Sequence, residues 1–336
     1  MFKRPHLRAA KRLVNAPSAL ALLFLATACS PGQEQVEDQV SEPPVESTDS
    51  AAPEGLILPA VWQTKDLEFP ITSVAVAGAL GSTVAVTYED GGLQFVDLDG
   101  ERVTDKADIG VSEVSDGRYL MLQETPVTVF PGITSAGDLS LYIHGGELTE
   151  PLPYPLDAGT DDLIEGLCSA DPVLDSDGIL RVGFWTQGER RRLHTGRIVE
   201  VGTDLVLLLN EPIPAARDIT ACLLSDSGAL VYTDPVVAAA EVNNRSKTYR
   251  FLVDDLGGYS LSNQDEEVQA FTVSDGITVR PPARPVDMAA TGDARNGGYP
   301  GGVIVIGGQS ANDAHMVTFI DPSRVTMEPF GYSPAE

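Results

Sequence analysis

Residues 82–100, STVAVTYEDGGLQFVDLDG, read as two short strands around a turn. Val84, Val86 and Tyr88 alternate with small or polar residues, Asp90-Gly91 interrupts the run, and Leu93 and Phe95 resume it before Asp99-Gly100. Period-two alternation on both sides of Asp-Gly predicts a β-hairpin, because glycine accepts the positive φ that a tight turn requires. The same punctuation returns at Asp116-Gly117, Asp177-Gly178, Ser227-Gly228 and Asp275-Gly276. Strand-like runs accompany it at Arg118–Gln123, Ile179–Thr186, Ala229–Thr233 and Ile277–Arg280. Helical spacing is confined to Val236–Val242, enough for two turns at most. The 32 Gly and 24 Pro, scattered through 336 residues, suit many turns and few helices. The expected class is all-β.

A more specific pattern lies near the C-terminus, in GGVIVIGGQSANDAHMVTFIDPSRVTMEPF. Val303 to Ile306 form an apolar run into Gly307-Gly308, and Phe319-Ile320 precede Asp321-Pro322, with Phe330 following. This segment resembles a kelch repeat, and Leu141 to Gly146 repeats it faintly. The resemblance implies four-stranded blades arranged as a β-propeller. Blades of about 40–45 residues would divide the 282 residues from Gly55 into six or seven. A β-sandwich has seven to nine strands, too few for this many hairpins.

The N-terminus carries Lys3, Arg4, Arg8, Lys11 and Arg12 without an acid, then the apolar run Leu20–Ala26, then Thr27-Ala28-Cys29. A basic region, a short apolar run and small residues before a cut describe an export signal over residues 1–28. The run falls short of the roughly 20 apolar residues that span a bilayer. Ala26-Thr27-Ala28-Cys29 resembles a bacterial lipobox, with Ala26 where the common motif has leucine. The resemblance implies that the Cys29 thiol takes diacylglycerol and anchors the mature chain on the extracytoplasmic side of the cell membrane. Residues 29–55 follow as a tether with seven acids, four prolines and no Lys or Arg, which cannot bury enough apolar surface to order itself. The domain occupies 56–336.

The formal charge is −27. The first 28 residues hold five of the 22 bases and no acid, so the remainder carries 17 bases against 49 acids, or −32. Nucleic acid is therefore excluded as a partner, since phosphate is held by Lys and Arg. The same charge repels anionic headgroups, so a lipid would hold the domain near a membrane that its surface avoids. Cys168 and Cys222 are the remaining cysteines, and in an oxidising compartment an isolated pair is expected to form a disulfide.

Catalytic motifs are scarce. His144, His194 and His315 lack ligand spacing, so no metal or other cofactor is assigned. Gly132 to Gly137 has the wrong spacing for a nucleophile elbow. Asp171, Asp175, Asp177 and Gly178 read as a hairpin turn in preference to a calcium loop, which needs more oxygens at set positions. Against the global charge stand Arg190, Arg191, Arg192 and Arg197, beside Phe184-Trp185; grouped guanidinium suits an acidic partner and makes this the candidate interface. The expectation is a lipid-anchored propeller that binds or scaffolds a protein partner in the bacterial cell envelope. The alternatives are a propeller enzyme using funnel carboxylates on extracellular sugars or lactones, and a metal or small-ligand carrier feeding a transporter.

Overall fold

The computed structural model describes residues 55–327, apart from breaks at 79–80, 82, 147, 172–179, 189, 226–227, 245–246, 264–267, 277 and 293–297. The first strand, β1 (Leu56–Gln63), belongs to the last blade. Blade 1 is the antiparallel meander β2 (Ile71–Gly78), β3 (Thr83–Tyr88), β4 (Gly92–Asp97) and β5 (Ala107–Asp108). Blade 2 begins with a split inner strand, β6 (Val111–Val114) and β7 (Gly117–Leu122), both paired to β8 (Thr125–Thr134). It continues through β9 (Leu139–Gly145) and β10 (Leu152–Pro155).

Blade 3 runs from β11 (Ile164–Leu167), prolonged at the inner rim by β12 (Ser169–Ala170), to β13 (Leu180–Thr186) and β14 (Arg192–Val201). Its outer edge is shared by β15 (Asp204–Leu209) and β16 (Ile213–Pro214), which both pair with β14. Blade 4 is only a hairpin, β17 (Ala221–Ser225) and β18 (Gly228–Tyr232). Blade 5 is β19 (Val236–Asn244), β20 (Lys247–Asp254), β21 (Tyr259–Asn263) and β22 (Gln269–Ser274). Blade 6 is β23 (Arg284–Thr291), β24 (Val303–Gln309) and β25 (His315–Ile320). The helical turn α1 (Ser323–Thr326) follows.

The ring closes through β1, which pairs antiparallel with β25 as the fourth strand of blade 6 while its first half runs parallel to β22. Both ends of the domain therefore share one blade, and opening the ring means breaking a ladder. The inner strands touch in order around the axis: β23, β2, β6, β11 with β12, β17, β19, and back to β23. The molecule is a six-bladed β-propeller.

Packing follows from the strand period. Successive side chains point to opposite faces, so an inner strand between two blades must be apolar on both. Val74 and Val76 pack toward blade 6 with Val305 and Phe319, whereas Ala75 and Ala77 pack toward blade 2 with Phe130 and Tyr142. The six apolar clusters of the core correspond to the six blade interfaces. Gly307 shows how tight they are, since a Cβ there would sit 2.6 Å from Val74 Cγ1 on the next blade.

Several local expectations need correction. Val236–Val242 is strand, not helix: Ala238, Ala240 and Val242 face blade 6 while Ala239 faces blade 4, and a run apolar on both faces carries no period. Asp116-Gly117 is no hairpin turn but the break inside the inner strand of blade 2. Of Ile277–Arg280, residues 278–280 form no strand. Val303–Ile306 runs on through Gly307-Gly308 to Gln309 without ending there. Among the described residues four strands are present in five blades; the fourth has two, with only three residues between β18 and β19.

Candidate functional site

An inner strand presents a free edge to the propeller axis, and each outward N–H on that edge needs an acceptor. Carboxylates from neighbouring blades supply several. Asp287 on β23 accepts from Val74 N of blade 1 at 2.8 Å and from Met288 N at 2.8 Å. Asp116, between β6 and β7, accepts from Val76 N of blade 1 at 3.0 Å and from the Ser169 hydroxyl of blade 3. Glu113 on β6 accepts from Leu167 N of blade 3 through Oε1 at 2.8 Å. Asp171, just after β12, accepts from Asn243 N of blade 5 at 2.6 Å and from the Thr291 hydroxyl of blade 6. Carboxylates from blades 2, 3 and 6 thus bind backbone and hydroxyl groups on blades 1, 3, 5 and 6, as pins through a hub.

Burial acts on these groups against their charge. Desolvation pushes the Glu113 carboxyl up to about 8, opposed by its bond from Leu167 N and reinforced by the nearby Asp287. Asp116 and Asp287 are raised to about 7, again chiefly by desolvation. A cavity beside them, lined by Glu113, Asp287, Leu167, Thr220 and Val237, has a volume of ≈ 70 Å³, room for a few ordered waters. The channel contains the carboxylates that the enzyme alternative calls for, and in this fold they hold blades together.

The residues singled out by sequence scatter. Cys168 and Cys222 form a disulfide that ties the inner rim of blade 3 to β17. The three histidines do not converge on the axis: His144 lies on β9, His194 on β14 and His315 on β25, the third strands of three different blades. His144 stacks on Phe95 at 4.6 Å and His194 on Phe184 at 4.7 Å, and desolvation lowers the pKa of both. Of the acidic loop, Asp175, Asp177 and Gly178 lie outside the described residues, and Asp171 serves the hub.

The arginines do not form one patch. Arg191 reaches Glu165 Oε1 at 2.8 Å and also donates to the Arg217 carbonyl. Arg190 is exposed on the turn, and Arg192 and Arg197 are exposed on β14. Five positions apart on one strand, those two point to opposite faces of blade 3. The side chains that sequence reasoning missed are Glu113, Asp116 and Asp287. Their signal is an acid set inside an apolar strand pattern, as in Val111-Ser-Glu-Val-Ser-Asp116 and Val286-Asp-Met288.

No family model matches the chain, and no curated protein does. Among solved structures it is similar to AofleA from Arthrobotrys oligospora, and equally to a triple arginine-to-alanine mutant of that protein. In each case identity is 10%, the alignment covers 77% of this chain and 86% of that chain, and the TM-score is 0.47.

Proposed function

We propose that the chain is a lipid-anchored, extracytoplasmic propeller that binds or scaffolds a protein partner in the bacterial cell envelope. The observation that carries this reading is the Cys168–Cys222 disulfide at the heart of the fold. A structural disulfide persists in oxidising compartments, which is where an export signal ending at Cys29 would deliver the chain. The acidic segment 30–55 would then serve as a spacer between the anchor and the domain. Two or three acyl chains on Cys29 would give stable attachment where one would bind only marginally.

The binding role follows from where the carboxylates work. With the hub devoted to bonds between blades, recognition falls to the rims and the outer faces of the blades. The test has two parts. Labelled palmitate should enter the wild-type chain and not Cys29→Ser, and the variant should leave the membrane fraction. Formaldehyde cross-linking of intact membranes should yield a discrete set of envelope partners. A chain that takes no label, or a correctly anchored chain that captures nothing, overturns the proposal.

A further inference from the structure

Blade 4 stops after two strands, and what surrounds it is built as though more strands belonged there. The face of blade 3 turned toward blade 4 is set by alternation: Trp185 and Leu193 point that way at the inner end, in contact with Cys222 and Leu224. Further out on the same face come Arg197 on β14 and, through the register Arg197↔Leu208 and Val199↔Val206, Leu208 and Val206 on β15. In a full propeller these outer positions pack on the third and fourth strands of the next blade. Here Leu208 is 45% exposed and Val206 37%, while Leu205 on the opposite face of β15 is buried against blade 2. On the hairpin itself, Val231 pairs with Cys222, so it faces blade 3, and it too is exposed.

The far edge of β18 pairs with no strand among the described residues. In an antiparallel pair alternate residues turn their N–H and C=O away from the partner, so this edge offers main-chain groups to a further strand. From the blade 5 side the slot is bounded by small side chains, Ser260 and Ser262 on β21 and Ala270 on β22. Charge narrows the choice of occupant. Arg181 and Arg197 stand opposite each other on β13 and β14, on the slot face of blade 3, in a domain that is otherwise strongly acidic.

We infer that the gap in blade 4 is a docking slot for an extended segment of a partner protein, which adds to the β18 edge as a third strand. Strand addition takes affinity from main-chain bonds and specificity from alternate side chains. The segment needs about five residues to match β18, apolar side chains against Leu208, Val206 and Val231, and a carboxylate facing Arg197. This deepens the scaffold reading and rests on it.

The test uses the full chain in its native membranes with a photo-reactive benzophenone residue at position 208. The off-slot control carries it at Val103, which is 45% exposed on blade 1. The expected result is a discrete adduct from 208 and none from 103, reduced at least tenfold by Arg197→Glu. In that complex the amides of β18 should exchange at least tenfold more slowly. Equal adducts from both positions, or an adduct that leaves β18 exchange unchanged, overturn the slot. An adduct between two copies of this chain overturns the assignment to a separate partner. Partners captured by formaldehyde without any adduct at 208 overturn the slot and leave the scaffold reading standing; no partner by either route overturns both.

Discussion

Glu113→Gln separates the two things a carboxylate does in the hub. Its Oε1 accepts the Leu167 N–H at 2.8 Å, tying blade 2 to blade 3, and glutamine keeps that acceptor. Its charge is a burden, because desolvation and the neighbouring Asp287 move the carboxyl from 4.5 to about 8 in the folded protein. A group whose folded pKa lies above its unfolded value binds more protons in the native state. Stability is then highest below the unfolded value and falls as pH rises toward the folded one. At about 1.36 kcal/mol per unit, with a discount because Glu113 is only partly buried, the ionised side chain opposes folding by about 2–5 kcal/mol. Asp116 and Asp287, raised to about 7, act in the same direction. Urea unfolding followed by fluorescence at pH 5, 7 and 9 reads the effect. The wild type should lose stability across that range. Glu113→Gln should match it within about 1 kcal/mol at pH 5 and exceed it by about 2 kcal/mol or more at pH 9. A variant less stable than wild type at pH 9, or one with an unchanged pH slope, would refute the reasoning.

Two further perturbations probe the joints around the weak blade. Replacing both Cys168 and Cys222 by alanine opens a cross-link spanning 54 residues, and loop entropy puts the loss at about 4 kcal/mol, read as a lowered melting temperature that reducing agent does not lower further. Arg250→Met strands the Glu241 carboxylate, which is buried, bonded to Arg250 Nε at 3.1 Å and faces blade 4. That should destabilise by about 3–5 kcal/mol in denaturant titration, and adding Glu241→Gln should restore at least half.

What was legible in the sequence, and what was not, divides along one physical line. Turn chemistry is local, so Asp90-Gly91 marked the hairpin of β3 and β4 from the residues alone, with Gly91 at φ 83°. Alternation was a weaker guide because blades are buried on both sides. In β3 the residues between Val84, Val86 and Tyr88 are Ala85 and Thr87, and all five are buried, so the pattern is large against small instead of apolar against polar. That is why β19, with Ala238 to Ala240, looked helical.

The hub acids were hidden for a related reason. In a domain this rich in Asp and Glu, no carboxylate stands out until the ring brings a backbone edge to it, and Asp287 meets Val74 across 213 positions. The arginines misled in the opposite way. Arg190, Arg191 and Arg192 are adjacent in sequence, yet Arg190 lies on the turn, Arg191 is held by Glu165, and Arg192 starts β14 facing away from Arg197. Arg197 instead shares a face with Arg181, joined by register across β13 and β14 and not by sequence. The incomplete blade could be read only by counting strands against the ring. The hairpin of β17 and β18 passes straight into β19, and the six inner strands still touch in order around the ring. Absence of the outer half of a blade therefore leaves the fold intact and uncovers Val206 and Leu208, which is how a propeller can expose an apolar face without changing its core.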